Sequence, residues 1–292
     1  MKAPAFLYRR PPDLDEALAL LADGAGGAQV LAGGQSLMPT LNMRLSKPDM
    51  LVDINRIDVL RGIADRGETI RIGALVRHAE VLESPLVARR LPLMAMVIPH
   101  VAHMAVRNRG TTCGSIALAD PSAEMPAVAV ALNADIVLRK RGATRTISAR
   151  DFFQGLYQTD RGDDEMISEI VFPATTPDQI FGFAELSRRQ GDFATVGVAI
   201  AARNGLGAIR DLNVVIFGSE ATPLLSTHAA GISIEPGLRN DTLTDIAHGI
   251  TEEMDPISNH QGRSDTKRKQ AAVLLRRTLH DMRERAAHVG TA

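Results

Sequence analysis

The chain has 292 residues, of which 45% are hydrophobic, and its 33 Lys and Arg residues nearly balance its 34 Asp and Glu residues. This length and apolar content predict a globular protein with enough core for two domains. The balanced charge argues against nucleic acid as a partner, and the lack of an apolar signal core or a membrane-length apolar run predicts a cytoplasmic protein without a membrane span.

The first part of the chain alternates between helix and strand patterns. Asp13 followed by Glu16 is typical of a helix start, and Gly24 of a helix end, so a helix is predicted over residues 13–21. Spacing of apolar residues then predicts a strand over 30–32, a helix over 35–45, strands over 50–53 and 68–73, and helices over 77–82 and 86–106.

The second part contains the predicted boundary between two domains. Pro121 favours a helix over 122–132, which is followed by strands over 134–138 and 166–172. Two prolines bracket residues 173–177, so the domains are predicted to be 1–176 and 177–292. The second domain is predicted to contain strands over 180–186, 194–202 and 208–217 and two closing helices, the last over 265–285 with a solvated basic face.

Two glycine-rich segments, residues 32–36 and 110–115, each precede a predicted helix. Glycine lets the backbone approach a ligand closely, and free N–H groups at such a turn point toward an anion. Two such loops favour a dinucleotide, with its pyrophosphate between them. The chain lacks both the G-x-G-x-x-G run of a Rossmann domain and a P-loop, so neither of those nucleotide folds is indicated.

The single cysteine, Cys113, lies in the second glycine segment. One thiol forms no internal disulfide and holds neither an iron–sulfur cluster nor a structural zinc ion, so any metal redox centre belongs on another chain. We interpret Cys113 as a small residue at a tight turn, not as a nucleophile.

Residues 107–115 and 119–126, together with 31–39 and 185–194, resemble the FAD-binding medium subunits of bacterial molybdenum hydroxylases, a family that includes subunits of carbon-monoxide and xanthine dehydrogenases. The resemblance covers nearly the whole chain. It implies an α+β fold in which a PCMH-type FAD-binding domain of two subdomains is followed by a smaller α/β domain of the CO dehydrogenase flavoprotein type.

The resemblance also implies which residues bind FAD. Glu124 matches the position that binds the adenosine ribose, Ile167 and Phe193 match positions that contact the flavin ring, and Arg188, beside Arg189, would place positive charge near it. The pyrophosphate would be wrapped by Ala32, Gly33, Gly34, Gln35, Ser36, Thr111, Thr112, Cys113, Gly114 and Ser115. Without the resemblance, Ile167 and Phe193 would be interpreted as core residues of strands.

Two departures from the family pattern stand out. Cys113 replaces a usual glycine, which would cause strain if that backbone needed a positive φ. Ala184 and Glu185 stand where some relatives have a lysine, so the electrostatics near the flavin are expected to differ.

The function implied is electron transfer within a three-subunit oxidoreductase. FAD on this chain would take electrons from two-iron two-sulfur clusters of a small partner and deliver them to an external acceptor, while a large partner holds molybdopterin. The complex is expected to be a dimer of heterotrimers. No catalytic side chain and no metal ligand are predicted on this chain, and His100 and His103 are interpreted as buried or interface histidines.

Two other functions stay open on the sequence. A self-sufficient FAD-dependent oxidoreductase would need a substrate site and a general base, for which the chain shows no motif. A non-catalytic nucleotide-binding scaffold would be colourless and would not take up FAD. The substrate, whether an N-heteroaromatic compound, carbon monoxide, an aldehyde or a purine, and the electron acceptor are not specified by these residues.

Overall fold

The computed structural model describes residues 2–205 and 208–289. The first subdomain contains, in chain order, β1 (Leu7–Arg9), α1 (Leu14–Asp23), β2 (Ala28–Leu31), α2 (Leu37–Asn42) and β3 (Met50–Asp53). The three strands form a parallel sheet in the order β1-β3-β2. The predicted start of α1 is confirmed, because the Asp13 side chain accepts a hydrogen bond of 2.9 Å from the Glu16 backbone N–H.

The second subdomain is built on a five-stranded antiparallel sheet in the order β4-β5-β10-β6-β7. Its elements are β4 (Ile63–Asp65), β5 (Thr69–Gly73), α3 (His78–Glu83), α4 (Pro85–Arg90), α5 (Pro92–Val97), α6 (Met104–Arg107), α7 (Thr112–Leu118), α8 (Glu124–Ala131), β6 (Asp135–Lys140), β7 (Ala143–Ser148), α9 (Ala149–Phe152), β8 (Phe153–Gly155), β9 (Gln158–Thr159) and β10 (Met166–Pro173).

The prediction of a single long helix over residues 86–106 is wrong. The structure divides this segment into α4, α5, a 3-10 turn at Ile98–His100, and α6. Pro92 and Pro99 lack the backbone N–H that a continuous helix needs, and Ala102 has a left-handed φ of 46°. These breaks turn the chain repeatedly and bring α6 to the entrance of the second glycine segment.

The C-terminal domain contains β11 (Gln179–Leu186), β12 (Val196–Gly205), β13 (Ala208–Phe217), β14 (Leu224–Leu225), α10 (Asn240–Glu252) and α11 (Ser264–Val289). Its strands form an antiparallel sheet in that order. The predicted three strands and two closing helices are thus confirmed, and residues 174–178 connect β10 to β11. The exact boundary between 176 and 177 stays a prediction.

Strand β12 is buried on both faces. Val196, Val198 and Ile200 face the core formed with α10 and α11, whereas Ala199 and Ala201 belong to the core shared with the N-terminal half. Alternate residues of a strand point to opposite faces, so this continuous apolar run packs two layers at once. The sheet therefore joins the two halves of the molecule. No helix in residues 2–205 and 208–289 is long and apolar enough to cross a membrane.

Candidate functional site

The two glycine-rich segments lie in direct contact. A Cβ atom built on Gly33 would stand 2.5 Å from the carbonyl oxygen of Arg109 and 2.8 Å from Cα of Gly110. Real Cβ atoms do not approach so closely, so only glycine lets these two backbones meet. Segments about eighty residues apart in the sequence therefore form one surface, as two loops around a shared ligand require.

A cleft of about 530 Å³ opens at this contact. It is lined by Leu31, Ala32, Gly33, Gly34, Gln35, Met38, Pro39, Asn42, Asp53, Asn55 and Arg109. In the described part of the chain, no acceptor is assigned to the backbone N–H groups of residues 33–36. Such a row of free donors beside Arg109 suits a phosphate group, which needs hydrogen bonds and positive charge together.

The second segment begins α7 and is not a loop throughout. Thr111 caps the helix, because its Oγ1 accepts a hydrogen bond of 3.0 Å from the Gly114 backbone N–H. A Cβ on Gly114 would stand 2.6 Å from that Oγ1, so glycine at 114 leaves space for the cap. The N–H groups of Thr112 and Ser115 also have acceptors, the carbonyl oxygens of Val76 and Thr111. In the first turn of α7, therefore, only the Cys113 N–H has no acceptor in the described part of the chain.

Cys113 lies in a helix, and not in the tight turn expected from the sequence. It lies in the first turn of α7, is not among the residues with positive φ, and is buried with its Sγ 3.6 Å from the Ile72 carbonyl oxygen. The conditional expectation of strain does not apply. Burial raises the thiol pKa far above its usual value, so Cys113 is a packing residue whose contribution to a ligand is limited to its backbone.

Asn55 and Arg77 connect the two loops, a role that the sequence did not indicate. Asn55 Nδ2 donates to the Ala32 carbonyl at 2.9 Å and to Asp53 Oδ1 at 2.6 Å. The Arg77 guanidinium donates to Asn55 Oδ1 and to the Arg109 carbonyl. Both residues are polar and lie 22 positions apart, so no local pattern could have identified them.

Asp53 anchors this network at the carboxyl end of β3. Burial acts to raise the pKa of Asp53, but hydrogen bonds from the Tyr8 hydroxyl and from Asn55 outweigh it and the pKa is lowered. Arg10 Nε lies 3.5 Å from Asp53 Oδ2. The carboxylate is therefore ionised, and it fixes the orientation of Asn55 below the first loop.

His78 lies beneath the second loop and supports it as a neutral ring. Its backbone N–H donates to the Gly110 carbonyl at 2.9 Å, and its Nδ1 lies 3.4 Å from Thr112 Oγ1. Burial, with a smaller effect of Arg107, lowers the pKa of His78 to about 4. Near neutral pH the ring is uncharged.

Glu124 and Ile167 are not among the residues that line the cleft beside the first loop. Ile167 is 5% exposed on β10, next to a bulge between Ile167 and Glu169. Glu124 is 4% exposed at the start of α8, and burial together with neighbouring carboxylates raises its pKa to about 8. Their predicted contacts with the ribose and with the flavin ring stay predictions.

Arg188 and Phe193 are exposed on the loop between β11 and β12. Gly191 at the tip of this loop has φ 82°, and a Cβ there would stand 2.9 Å from the His103 ring and 3.0 Å from the Ala102 backbone. The loop therefore rests on the segment that leads through α6 to the second glycine segment. The predicted contacts of Arg188 and Phe193 with the flavin stay predictions.

These residues fit FAD. The backbones of the two loops meet at Gly33, where a Cβ atom would fill the space between them. The backbone N–H groups of residues 33–36, which have no acceptor in the described part of the chain, line the same cleft as Arg109. Both α2 and α7 are short, with six and seven residues, so backbone N–H groups of the loops carry the interaction more than a helix dipole does. A dinucleotide pyrophosphate satisfies this donor set.

Comparison with known proteins identifies both domains. Residues 4–175 match the family described as FAD binding domain in molybdopterin dehydrogenase, and residues 181–282 match the CO dehydrogenase flavoprotein C-terminal domain. The chain is 34% identical to the 6-hydroxypseudooxynicotine dehydrogenase complex subunit alpha of Paenarthrobacter nicotinovorans, over 98% of this chain and 97% of that one.

Solved structures agree with these matches. The carbon monoxide dehydrogenase of Hydrogenophaga pseudoflava superimposes with a TM-score of 0.91 at 33% identity, over 97% of this chain and 98% of the other. Quinoline 2-oxidoreductase from Pseudomonas putida 86 gives a TM-score of 0.91 at 33% identity, over 98% and 100%. The α+β fold implied by the resemblance is confirmed, and the chain belongs to the FAD-binding medium subunits of the molybdenum hydroxylase family.

Proposed function

We propose that this chain is the electron-transfer subunit of a heterotrimeric molybdenum hydroxylase. Electrons pass from two-iron two-sulfur clusters of a small partner, through FAD on this chain, to an external acceptor. A large partner holds molybdopterin and contains the substrate site. The contact between Gly33 and the Arg109–Gly110 backbone carries the proposal, because it turns two separate loops into one dinucleotide cradle.

Bound FAD supplies the ability to exchange electrons with a partner on one side and an acceptor on the other. The chain's own residues bind and orient it. Residues 33–36 and Cys113 in the first turn of α7 offer backbone N–H donors to the pyrophosphate, and Arg109 adds a positive charge. Asn55 and Arg77 keep the two loops at a fixed separation. Glu124, Ile167, Arg188 and Phe193 complete the proposed set toward the ribose and the ring.

The relatives' names support a hydroxylase complex but differ in substrate. Among them are a caffeine dehydrogenase subunit beta from a Pseudomonas strain and a nicotine 6-hydroxylase medium subunit from Paenarthrobacter nicotinovorans. We propose that the large partner determines which compound is oxidised, and that this chain transfers electrons through FAD in the same way for any substrate. The dimer of heterotrimers and the cytoplasmic location stay predictions.

The test compares the native complex with a complex carrying Gly33→Val. Both are reduced with dithionite, mixed with oxygen, NAD⁺, a quinone or a dye, and followed by the iron–sulfur and flavin absorbance. The wild-type complex is expected to reoxidise quickly with at least one acceptor, whereas the FAD-depleted complex keeps its clusters reduced much longer. Equal reoxidation rates with and without FAD would contradict the proposal.

A further inference from the structure

The C-terminal domain contains a fully buried lysine. Lys267 lies in the first turn of α11, and only 1% of it is exposed. In the described part of the chain, its Nζ has two partners, the carbonyl oxygens of Ile257 at 3.0 Å and Gly218 at 3.4 Å, and no carboxylate pairs with it. Burial of a cation without a counter-ion is costly. An apolar side chain would fill the same space without that cost, so the N–H donors are what distinguish the lysine here.

The two carbonyl groups belong to different segments of the domain. Gly218 directly follows β13, whereas Ile257 lies between α10 and α11. Among residues 2–205 and 208–289, no other donor is assigned to either carbonyl oxygen. The Ile257 N–H also donates to the Ser219 carbonyl at 2.7 Å. Lys267 therefore attaches the start of the loop over residues 257–263 to the end of β13.

The loop over residues 257–263 closes on itself above the lysine side chain. The Asn259 N–H donates to the Gly262 carbonyl at 3.0 Å, and the Gly262 N–H donates back at 3.2 Å. A Cβ atom built on Gly262 would stand 3.7 Å from Lys267 Cγ and 3.9 Å from Thr195 Cγ2. This turn therefore faces both the lysine stem and the end of the loop between β11 and β12.

The β11–β12 loop, residues 187–195, is hydrogen-bonded to the same turn. The Arg188 guanidinium donates to the His260 carbonyl. Gln261 Nε2 donates to the Phe193 carbonyl at 3.5 Å. Both residues that are predicted to approach the flavin ring are thus connected to the loop that Lys267 attaches to β13.

Gly218 makes this junction part of the contact between the two domains. Its N–H donates to the Pro121 carbonyl at 2.8 Å, in the segment before α8. Its φ is 85°, and a Cβ atom there would stand 2.8 Å from the Ala194 carbonyl oxygen, so glycine is required. Because Lys267 binds the carbonyl oxygen of this residue, it also stabilises the orientation in which the Gly218 N–H meets Pro121.

We propose that Lys267 is a positioning residue: its buried ammonium group fixes the 257–263 loop, and that loop sets the positions of Arg188 and Phe193. The effect on FAD rests on the proposed function, whereas the order of the contacts does not. Positive charge near a flavin stabilises its reduced, anionic form, so displacement of Arg188 is expected to lower the reduction potential.

Hydrogen–deuterium exchange of the purified full-length chain tests the order of the contacts. Lys267→Met keeps a long apolar stem but loses the N–H donors, so amides of residues 257–263 and 187–195 are expected to exchange about tenfold faster, with residues 28–53 unchanged. Lys269→Met, at an exposed position of the same helix, should match the wild-type chain. Unchanged exchange in residues 257–263, or an equal increase throughout the chain, would overturn the proposal.

A second variant tests the same order without altering Lys267. Arg188→Gln removes the contact with His260 from the other side, so exchange should become faster in residues 187–195 only. Residues 257–263 should keep their protection because Lys267 still binds Ile257. Arg189→Gln, on the exposed neighbouring arginine, should change neither loop. Faster exchange of residues 257–263 in Arg188→Gln would overturn the proposal.

The flavin reduction potential tests the effect on FAD. Lys267→Met and Arg188→Gln are each expected to shift it to more negative values, and the double variant should shift it no further than Arg188→Gln alone. No shift in Lys267→Met, or a shift that persists in full in the Arg188→Gln background, would overturn action through Arg188. If the wild-type chain takes up no FAD, the proposed function fails, and the exchange results alone decide the role of Lys267.

Discussion

Asn55 and Arg77 form a hydrogen-bonded pair between the two glycine-rich loops: the Arg77 guanidinium donates to Asn55 Oδ1 and also to the Arg109 carbonyl. Asn55 in turn donates to the Ala32 carbonyl at 2.9 Å. The first loop, the pair and the second loop thus form one connected unit. The width of the cleft is set by this unit and not by either loop alone.

Arg77→Ala is expected to destabilise the chain by about 2 kcal/mol, because charged hydrogen bonds to two partly buried acceptors are lost. FAD should also bind more weakly, since the loops are free to separate. Arg77→Lys should retain only part of the stability and of the FAD affinity, because an ammonium group lacks the planar fork with which the guanidinium reaches two acceptors. Urea unfolding and FAD titration measure the two effects. Arg89→Ala, on an exposed arginine of α4, is the control, and an equal effect there would contradict the role of Arg77.

Gly33→Val is expected to deplete FAD from the purified chain. Its side chain would overlap the Arg109 carbonyl, since even a Cβ stands 2.5 Å away, and such overpacking costs roughly 1–3 kcal/mol. If this cost falls on the FAD-bound form, it corresponds to a roughly 5- to 150-fold increase in Kd. Gly231→Val is the matched control, because a Cβ at Gly231 meets nothing within 4 Å. Normal FAD content in Gly33→Val would show that the cradle lies elsewhere.

The sequence predicted those features of the site that depend on a few adjacent residues. Gly33-Gly34 and the segment at 110–115 were sufficient to predict a dinucleotide, because close backbone approach is a local property of glycine. The Asp13 helix start is local in the same way and was correct. Partners such as Asn55 and Arg77 were missed because their meeting depends on how distant strands and loops fold together.

Two errors in the prediction have clear causes. Apolar periodicity over residues 86–106 concealed Pro92 and Pro99, which divide the segment into short helices. Strand β7 was missed because its residues, Ala143–Ser148, are mostly polar and exposed, so no buried face generates an alternating pattern. At Cys113, the family pattern suggested a special backbone, but the structure has an ordinary helical turn there.

His78→Gln is expected to reduce the loss of stability at acidic pH. The pKa of His78 is lowered from 6.5 to about 4, so the folded chain resists protonation that the unfolded chain accepts. Stability is complete above pH 6.5 and falls as the pH decreases toward 4, by roughly 2 kcal/mol at pH 5. Urea unfolding at pH 7 and pH 5 measures the difference. His248→Gln, on an exposed histidine of α10, should keep the wild-type slope. If the loss of stability between pH 7 and pH 5 is the same in His78→Gln as in the wild-type chain, His78 is not its source.

Cys113 is expected not to react with a thiol reagent in the folded chain. Its Sγ is buried against the Ile72 carbonyl, and the raised pKa keeps the thiol protonated. Labelling with a chromogenic disulfide should be negligible in buffer and complete in denaturant. Native labelling at the rate of a small-molecule thiol would contradict the packing role.

The most direct measurement is the FAD content of the purified full-length chain, from its visible absorption spectrum and the mass of the released cofactor, before and after incubation with free FAD. Near-stoichiometric FAD in the wild-type chain and in Gly231→Val, with little in Gly33→Val, is the expected result. A colourless wild-type chain that does not take up FAD would contradict the assignment of the two-loop cleft as a flavin site.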